Sequence, residues 1–146
     1  MEKVYERYAW VILFALGLLW VVFGFVQAFF PAGVAETDAQ HVTGMSWSAL
    51  KDSSPEASNL VRFLFGALGL IKMSWSFLVI AITLTGFRKG EKWAWYTLCL
   101  VPIVLVSSGL FRAWFFGDAS EMLQSIPVVT ISLVGLFLPY RKFFPR

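Results

Sequence analysis

Long apolar runs separated by short polar segments dominate the sequence. A helix needs about 20 residues to cross about 30 Å of hydrocarbon, because each residue adds about 1.5 Å along its axis. Four runs meet or approach that length, and the segments between them hold most of the charged residues. The pattern predicts four membrane-spanning helices at about residues 8–30, 60–86, 93–116 and 122–140, with a long outer loop at 31–58.

The second run is interrupted by two cations, Arg62 and Lys72, so its insertion depends on a comparison of magnitudes. It contains 14 Leu, Ile, Val and Phe residues. Each of these favours insertion by roughly 0.3 to 0.6 kcal/mol, whereas a lysine at the helix centre costs about 3 kcal/mol and an arginine near the end costs less. The apolar contribution is larger, so the run is expected to insert.

The first run is expected to remain in the chain as an anchor. A cleavable signal peptide has an apolar region of about 7 to 15 residues. Residues 8–30 form a charge-free run of 23. The protein is therefore expected to be multi-pass from its first helix onward.

The segment 31–58 is far longer than a connection between helices requires, and long loops commonly carry function or cover a site. Residues 54–56, Ser-Pro-Glu, are types preferred at the first positions of a helix, so the second helix should start there, outside the membrane. A short surface helix is expected over 46–52, with Trp47 at the bilayer edge.

Prolines and acidic residues shape the last two predicted helices. Pro102 should kink the third helix and Pro127 the fourth, because proline lacks the N–H group and its ring crowds the preceding turn. Asp118 with Glu121 three residues later resembles a capping box for the fourth helix. The short connections on either side of the third helix make helices two, three and four antiparallel neighbours.

Composition supports a membrane protein. The 146 residues are 58% hydrophobic and 14% charged, whereas soluble domains carry about 25% charged residues. A single Cys excludes a disulfide framework, and a single His, His41, excludes a multi-histidine metal or haem site. No cofactor and no metal are therefore expected, and His41 is expected to be solvated in the outer loop.

Charge asymmetry predicts the orientation. Basic residues cluster at both termini and in the turn between the second and third helices, whereas the other polar segments are mainly acidic. By the positive-inside rule, both termini face the cytoplasm, and the net charge of +3 reports topology and not nucleic-acid binding. The basic residues on the cytoplasmic side are Lys3, Arg7, Arg88, Lys89, Lys92, Arg141, Lys142 and Arg146.

The turn at 88–95, Arg-Lys-Gly-Glu-Lys-Trp-Ala-Trp, carries a resemblance that covers most of the chain. Together with residues around the outer loop, it resembles a group of small four-span prokaryotic membrane proteins. The resemblance implies a multi-pass protein of a prokaryotic inner or plasma membrane. That group has no assigned activity, so it implies no catalytic residue and no cofactor. The outer-loop residues are Pro31, Gly44, Pro55, Arg62 and Gly66.

The same turn has two interpretations. In the structural one, Gly90 adopts a left-handed conformation, Glu91 complements the positive N-terminus of the third helix, and Trp93 and Trp95 anchor at the interface. In the functional one, the turn is a docking site for a cytoplasmic partner.

The predicted spans contain three cations and no carboxylate. Proton-coupled transport and acid-catalysed chemistry within membranes usually rely on buried Asp, Glu or His. The chain also lacks the Gly-x-Ser-x-Gly elbow of serine hydrolases. No catalytic residue is therefore predicted.

One candidate site remains, an outward-opening crevice between the second and third helices. On the second helix, small and polar residues from Arg62 to Thr83 recur at steps of three and four and form one stripe. If this stripe meets the corresponding face of the third helix, the crevice could bind an anionic lipid. Alternatively, the two arginines extend to lipid head groups or pair with acids of the first loop. The proposed lining residues are Lys72, Arg62, Arg112, Ser108, Ser76 and Trp75.

Lys72 carries the strongest functional expectation. It lies 12 residues into the second run, about 18 Å from the outer end and near the midplane. A lysine at that depth must be neutral, paired with an anion, or solvated by a polar cavity. The possible partners are Ser76, Ser107, Ser108, the face of Trp75, carbonyls freed near Pro102, water, and an anionic ligand.

The sequence thus predicts an all-α fold, a four-helix transmembrane bundle that forms a single domain over residues 1–146. Three functions remain open. The first is a non-catalytic accessory or scaffold subunit that packs against other membrane chains. The second is a binding protein for an anionic lipid or amphiphile, and the third is a membrane-embedded enzyme that uses Lys72.

Overall fold

The computed structural model describes residues 4–36, 44–117 and 120–145, and all regular structure within these ranges is helical. His41 and the predicted cap Asp118 lie outside the described residues. The elements are α1 (Val4–Tyr8), α2 (Trp10–Phe29), α3 (31–36), α4 (Trp47–Ser53), α5 (Pro55–Ile82), α6 (Lys92–Leu98), α7 (Leu100–Phe116), α8 (Ser120–Phe137) and α9 (Tyr140–Phe143), and a π-helical turn over Thr83–Phe87 continues α5.

Within the described residues, three helical segments are long and apolar enough to cross a membrane. They are Glu6–Phe29, Pro55–Phe87 and Lys92–Phe115. These segments correspond to the first three predicted spans, and their length and apolar composition indicate a membrane protein. The apolar helix Ser125–Phe137 is shorter, so the fourth span stays a prediction.

The chain divides into two compact units. The central unit comprises Leu19–Ser76, and the terminal unit comprises Met1–Leu18 together with Phe77–Arg146. The prediction of a single domain over the whole chain stays a prediction.

The described part of the outer loop predicted at 31–58, residues 31–36 and 44–58, is largely helical. Ser46 caps α4, because its hydroxyl oxygen accepts a hydrogen bond from the Ala49 amide at 3.2 Å, and the predicted surface helix is therefore confirmed to within a residue. Pro55 begins α5, and the Ser54 hydroxyl accepts from the Ala57 amide at 3.4 Å. The start of the second helix, outside the apolar run, is thus also confirmed.

The two internal prolines have different effects. The third span is interrupted at Cys99, between α6 and α7. Pro102 accounts for the break, because it lacks the amide that would bond to the Leu98 carbonyl one turn earlier. Pro127 lies inside α8, and that helix continues through it to Phe137. The predicted disturbance is confirmed at Pro102, whereas Pro127 does not interrupt its helix.

The core of the terminal unit is rich in aromatic side chains. Phe87 packs against Phe143 with a ring-centroid distance of 4.8 Å and an interplanar angle of 41°, and both side chains are buried. The Trp95 indole N–H donates to the Leu136 carbonyl at 3.0 Å. The Trp95 ring also meets four further aromatic rings edge-on, with centroid distances of 5.3 to 5.9 Å: Tyr96, Phe137, Tyr140 and Phe144.

The 88–95 turn is held by contacts within the terminal unit. Gly90 has a φ of +84°, which confirms its predicted left-handed conformation. The Lys142 ammonium donates to the Arg88 carbonyl at 2.9 Å, and the Trp93 indole N–H donates to the Glu91 carboxylate. These contacts support the structural interpretation of the turn. Docking of a partner there stays a prediction.

Candidate functional site

Within the central unit, α2 and α5 approach each other at small residues. A β-carbon added to Gly69 would lie 2.4 Å from the Ala28 amide nitrogen, and one added to Gly24 would lie 2.7 Å from the Met73 side chain. Backbones this close require glycine, as is typical of helix contacts in membranes. The predicted small-residue stripe on the second helix does make a close helix contact, but at Gly69 and Met73 its partner is α2, whereas the sequence predicts the third helix.

Lys72 has partners on α2. Its ammonium group donates a hydrogen bond to the Gln27 side-chain carbonyl oxygen at 2.6 Å. It also lies over the Trp20 ring, 5.4 Å from the centroid. Gln27 is only 7% exposed, so this hydrogen bond lies at a site that is partly shielded from the surroundings.

Neither partner is among those predicted from the sequence. Ser76, one of the expected partners, donates its hydroxyl proton to the Lys72 backbone carbonyl at 2.7 Å. The aromatic face over which the ammonium lies belongs to Trp20, whereas Trp75 was expected. One feature of the sequence could have indicated Gln27: apart from Tyr8, it is the only amide or ionisable side chain between residues 8 and 30.

The contact between α2 and α5 fixes the level of Lys72 along α2. Because Gly24 faces Met73 and Ala28 faces Gly69, Lys72 is level with residue 25. That level is four residues before α2 ends at Phe29, or about 6 Å along the axis. The first turns of α5 extend past that end. The depth of Lys72 in the bilayer stays a prediction.

Two cavities lie in this part of the central unit. The first, the polar cavity, has a volume of about 470 Å³ and is lined by Ala32 of α3, by α4 and by the first turns of α5, which together contribute both polar and apolar side chains. The second has a volume of about 360 Å³ and is an apolar groove between the end of α2 and α5. Arg62 lines both cavities. The groove is otherwise lined by Ala28, Phe29, Phe63, Gly66, Ala67 and Leu70.

The polar cavity contains charges of both signs. Lys51 and Arg62 contribute two cations, and Asp52 contributes one carboxylate. Ser58 is 4% exposed, and its hydroxyl donates to the Pro55 carbonyl at 2.9 Å, so its oxygen retains only accepting capacity. Asn59 adds both donors and an acceptor. The arrangement favours a ligand with one net negative charge and some hydrogen-bond donors.

The six predicted site residues are divided between the units. Lys72, Arg62, Ser76 and Trp75 belong to the central unit, whereas Ser108 and Arg112 belong to the terminal unit. Ser108 lies on an exposed part of α7, and its hydroxyl donates to the Leu105 carbonyl at 2.9 Å. A crevice that combines residues of both units stays a prediction. Lys51 and Asp52 were missed as site residues, because nothing in a polar loop sequence indicates that it packs beside Arg62.

Metal binding finds no support in the geometry. Among the residues that the structure describes, there is no group of three or more His, Cys, Asp or Glu side chains that could hold a metal ion.

No protein family model matches the chain, and neither a curated protein sequence nor a solved structure shows significant similarity to it. The resemblance to small four-span prokaryotic membrane proteins therefore stays a prediction.

Proposed function

We propose that the protein is a non-catalytic, multi-pass membrane protein whose α2–α5 pair binds an anionic amphiphile. The observation that carries this proposal is that Arg62 lines both a polar cavity and an apolar groove. A membrane amphiphile has the same division, since a charged head group is joined to an apolar chain. The head group would occupy the polar cavity with Arg62 and Lys51, and one chain would lie in the groove.

Charge supplies most of the selectivity in this arrangement. An acyl chain gains little by moving from the bilayer into the groove, because both surroundings are apolar. A hydrogen bond to a charged group contributes about 1.5 to 3 kcal/mol, which corresponds to roughly 10- to 150-fold in affinity. Arg62 is therefore expected to dominate retention of the ligand.

The matching experiment compares bound lipid in Arg62→Gln with that in wild type. Both proteins are purified in a mild detergent with added phosphatidylglycerol, and bound lipid is counted by native mass spectrometry. Arg141→Gln is the control, because Arg141 is exposed on α9 in the terminal unit. We expect at least a tenfold loss of binding for Arg62→Gln and none for Arg141→Gln. Equal binding in all three proteins would refute the proposal.

The proposal includes the predicted topology, in which α8 is the fourth span, both termini are cytoplasmic and the polar cavity faces outward in a prokaryotic plasma membrane. The charge asymmetry supports this orientation. With Cys99 replaced by alanine, a cysteine at Ser53 should react with an impermeant thiol reagent in intact cells. A cysteine at Lys89 should react only after lysis, and the reverse pattern would contradict the orientation.

An accessory-subunit role is the second candidate function. The aromatic ridge on α7 favours it, because Trp114 is 85% exposed and the adjacent Phe111 and Phe115 rings lie 4.5 Å apart. Rigid aromatic side chains are common at contacts between protein chains. Purification from native membranes tests this role. A stoichiometric protein partner that is lost in Trp114→Ala would support it, and a single species with bound lipid would favour amphiphile binding alone.

A further inference from the structure

We infer that the polar cavity selects a phospholipid whose phosphodiester head group carries hydroxyl groups, as in phosphatidylglycerol, over a lipid with a phosphomonoester head group. Asp52 is the residue that makes this distinction. The inference rests on the proposed function and adds the chemical class of its ligand.

The first argument is charge. Lys51, Arg62 and Asp52 give the cavity lining a formal charge of +1. A phosphodiester carries one negative charge and would neutralise this lining. A phosphomonoester carries roughly −1.5 to −2 at pH 7, so its second charge would meet the Asp52 carboxylate without a matching cation. A repulsive group of this kind is a common source of specificity.

The second argument is hydrogen bonding. The Asp52 carboxylate only accepts hydrogen bonds, and Ser58 has already committed its proton to the Pro55 carbonyl. A bare phosphate brings mainly acceptors, so these oxygens would have only the Asn59 amide and water as donors. The hydroxyl groups of a glycerol head supply the donors, while its phosphate accepts from Arg62 and Lys51.

The third argument is size and net charge. The volume of about 470 Å³ lies within the range of roughly 300 to 1,000 Å³ that is typical of small-molecule sites, so the cavity has room for a substituted phosphate. The phosphoethanolamine head group of phosphatidylethanolamine would also bring donors. Its phosphate and ammonium charges cancel, however, so the net charge of +1 on the cavity lining would not be neutralised.

The experiment uses the full-length protein in detergent with equal amounts of phosphatidylglycerol, phosphatidic acid and phosphatidylethanolamine that have identical acyl chains. Native mass spectrometry gives the ratio of bound phosphatidylglycerol to bound phosphatidic acid. We expect wild type to prefer phosphatidylglycerol. In Asp52→Asn, which keeps the side-chain shape and removes the charge, we expect that ratio to fall by roughly two- to fivefold, because Asp52 is exposed and its charge is screened by water.

Two control variants separate a local effect from a general one. Glu56→Gln removes a negative charge from the exposed first turn of α5, at a residue outside the cavity lining, and should keep the wild-type ratio. Asp52→Glu keeps the charge and should also keep it. Their circular dichroism spectra and elution profiles are compared with wild type to establish that each variant is folded.

The outcomes distinguish this inference from the proposed function. A wild-type ratio of one, or an equal shift in Asp52→Asn and Glu56→Gln, would overturn the selectivity, and so would a preference for phosphatidylethanolamine. In those cases a loss of anionic lipid in Arg62→Gln would still support the proposed function. If Arg62→Gln retains all three lipids as wild type does, the proposed function fails and the selectivity fails with it.

Discussion

The two units of the chain hold their helices together in different ways. In the central unit, α2 and α5 meet at Gly24 and Gly69, and a lysine–glutamine hydrogen bond lies beside that contact. In the terminal unit, close approaches at Gly86 and Gly109 are joined by a cluster of aromatic rings around Trp95 and by the tilted Phe87–Phe143 pair. Large rings fill the space between helices. Glycines bring the backbones together at one point, and the space beside that contact remains open to other side chains.

That difference bears on function. The polar cavity and the apolar groove both include Arg62 in their lining. Both lie in the central unit, where small residues make the helix contact. In the terminal unit, the Trp95 indole and the Lys142 ammonium donate hydrogen bonds to backbone carbonyls, and neither lines the polar cavity or the apolar groove. Close packing by glycine is thus compatible with an adjacent groove. Substitutions in each unit test this difference between the units.

The largest effect is expected for Trp95→Ala in the terminal unit. This change removes the ring contacts and the hydrogen bond to Leu136, and it should lower the free energy of unfolding by about 3 to 5 kcal/mol. Trp114→Ala is the matched control, because Trp114 is 85% exposed. Thermal unfolding in detergent, followed by circular dichroism, measures both changes. Equal losses in the two variants would contradict the assignment of Trp95 to the core.

A smaller effect is expected for Gly69→Ala in the central unit. Glycine-to-alanine changes usually stabilise a helix, but this one should lower the free energy of unfolding. Its new β-carbon would lie 2.4 Å from the Ala28 nitrogen, so the helices must separate, at a cost of about 1 to 3 kcal/mol. Gly33→Ala is the control, because nothing lies within 4 Å of its β-carbon and alanine favours a helix over glycine by roughly 0.5 to 1 kcal/mol. Unfolding experiments should therefore give opposite signs, and two stabilised variants would disprove the close contact.

The Lys72–Gln27 hydrogen bond gives a third prediction, in which the double variant is more stable than one of the singles. Gln27→Leu leaves the ammonium without this acceptor and should cost about 1 to 3 kcal/mol. Lys72→Met should cost less, because it removes the charge. Replacing both residues should be nearly neutral, since both partners are then apolar. A double-variant cost equal to the sum of the single costs would indicate no coupling.

Lys72→Met also tests which residues bind the lipid. Lys72 is not among the residues that line the two cavities, whereas Arg62 lines both. Lys72→Met is therefore expected to insert normally and to keep most of its bound lipid. A complete loss of lipid in Lys72→Met would instead support Lys72 as a lining residue of the predicted crevice.

The smallest effect is expected at Gly90 in the terminal unit. Its φ of +84° is unfavourable for a residue with a side chain, so Gly90→Ala should cost about 1 kcal/mol. Lys89→Ala, at the adjacent exposed position, should be close to neutral. Both values are measured by thermal unfolding, and a larger loss for Lys89→Ala would contradict the conformational argument.

The sequence by itself determined the class of protein and most local structure. Charge-free runs predict helices that cross a membrane, because hydrocarbon excludes unpaired backbone groups and charged side chains. Local chemistry predicts the start of α5 after Ser54, the interruption before Pro102 and the left-handed Gly90. Each of these depends on residues within one helical turn, so neighbours in the sequence are enough to decide it.

Only the tertiary structure decided the partners of Lys72 and the composition of the polar cavity. A helical period shows which residues share a face, but it does not show how far one helix is displaced along another. That displacement brings Gln27 and Trp20 to Lys72 and sets its distance from the end of α2. The position of α4 beside α5 places Lys51 and Asp52 near Arg62. Such contacts join residues far apart in the chain, and they are decided by packing between helices.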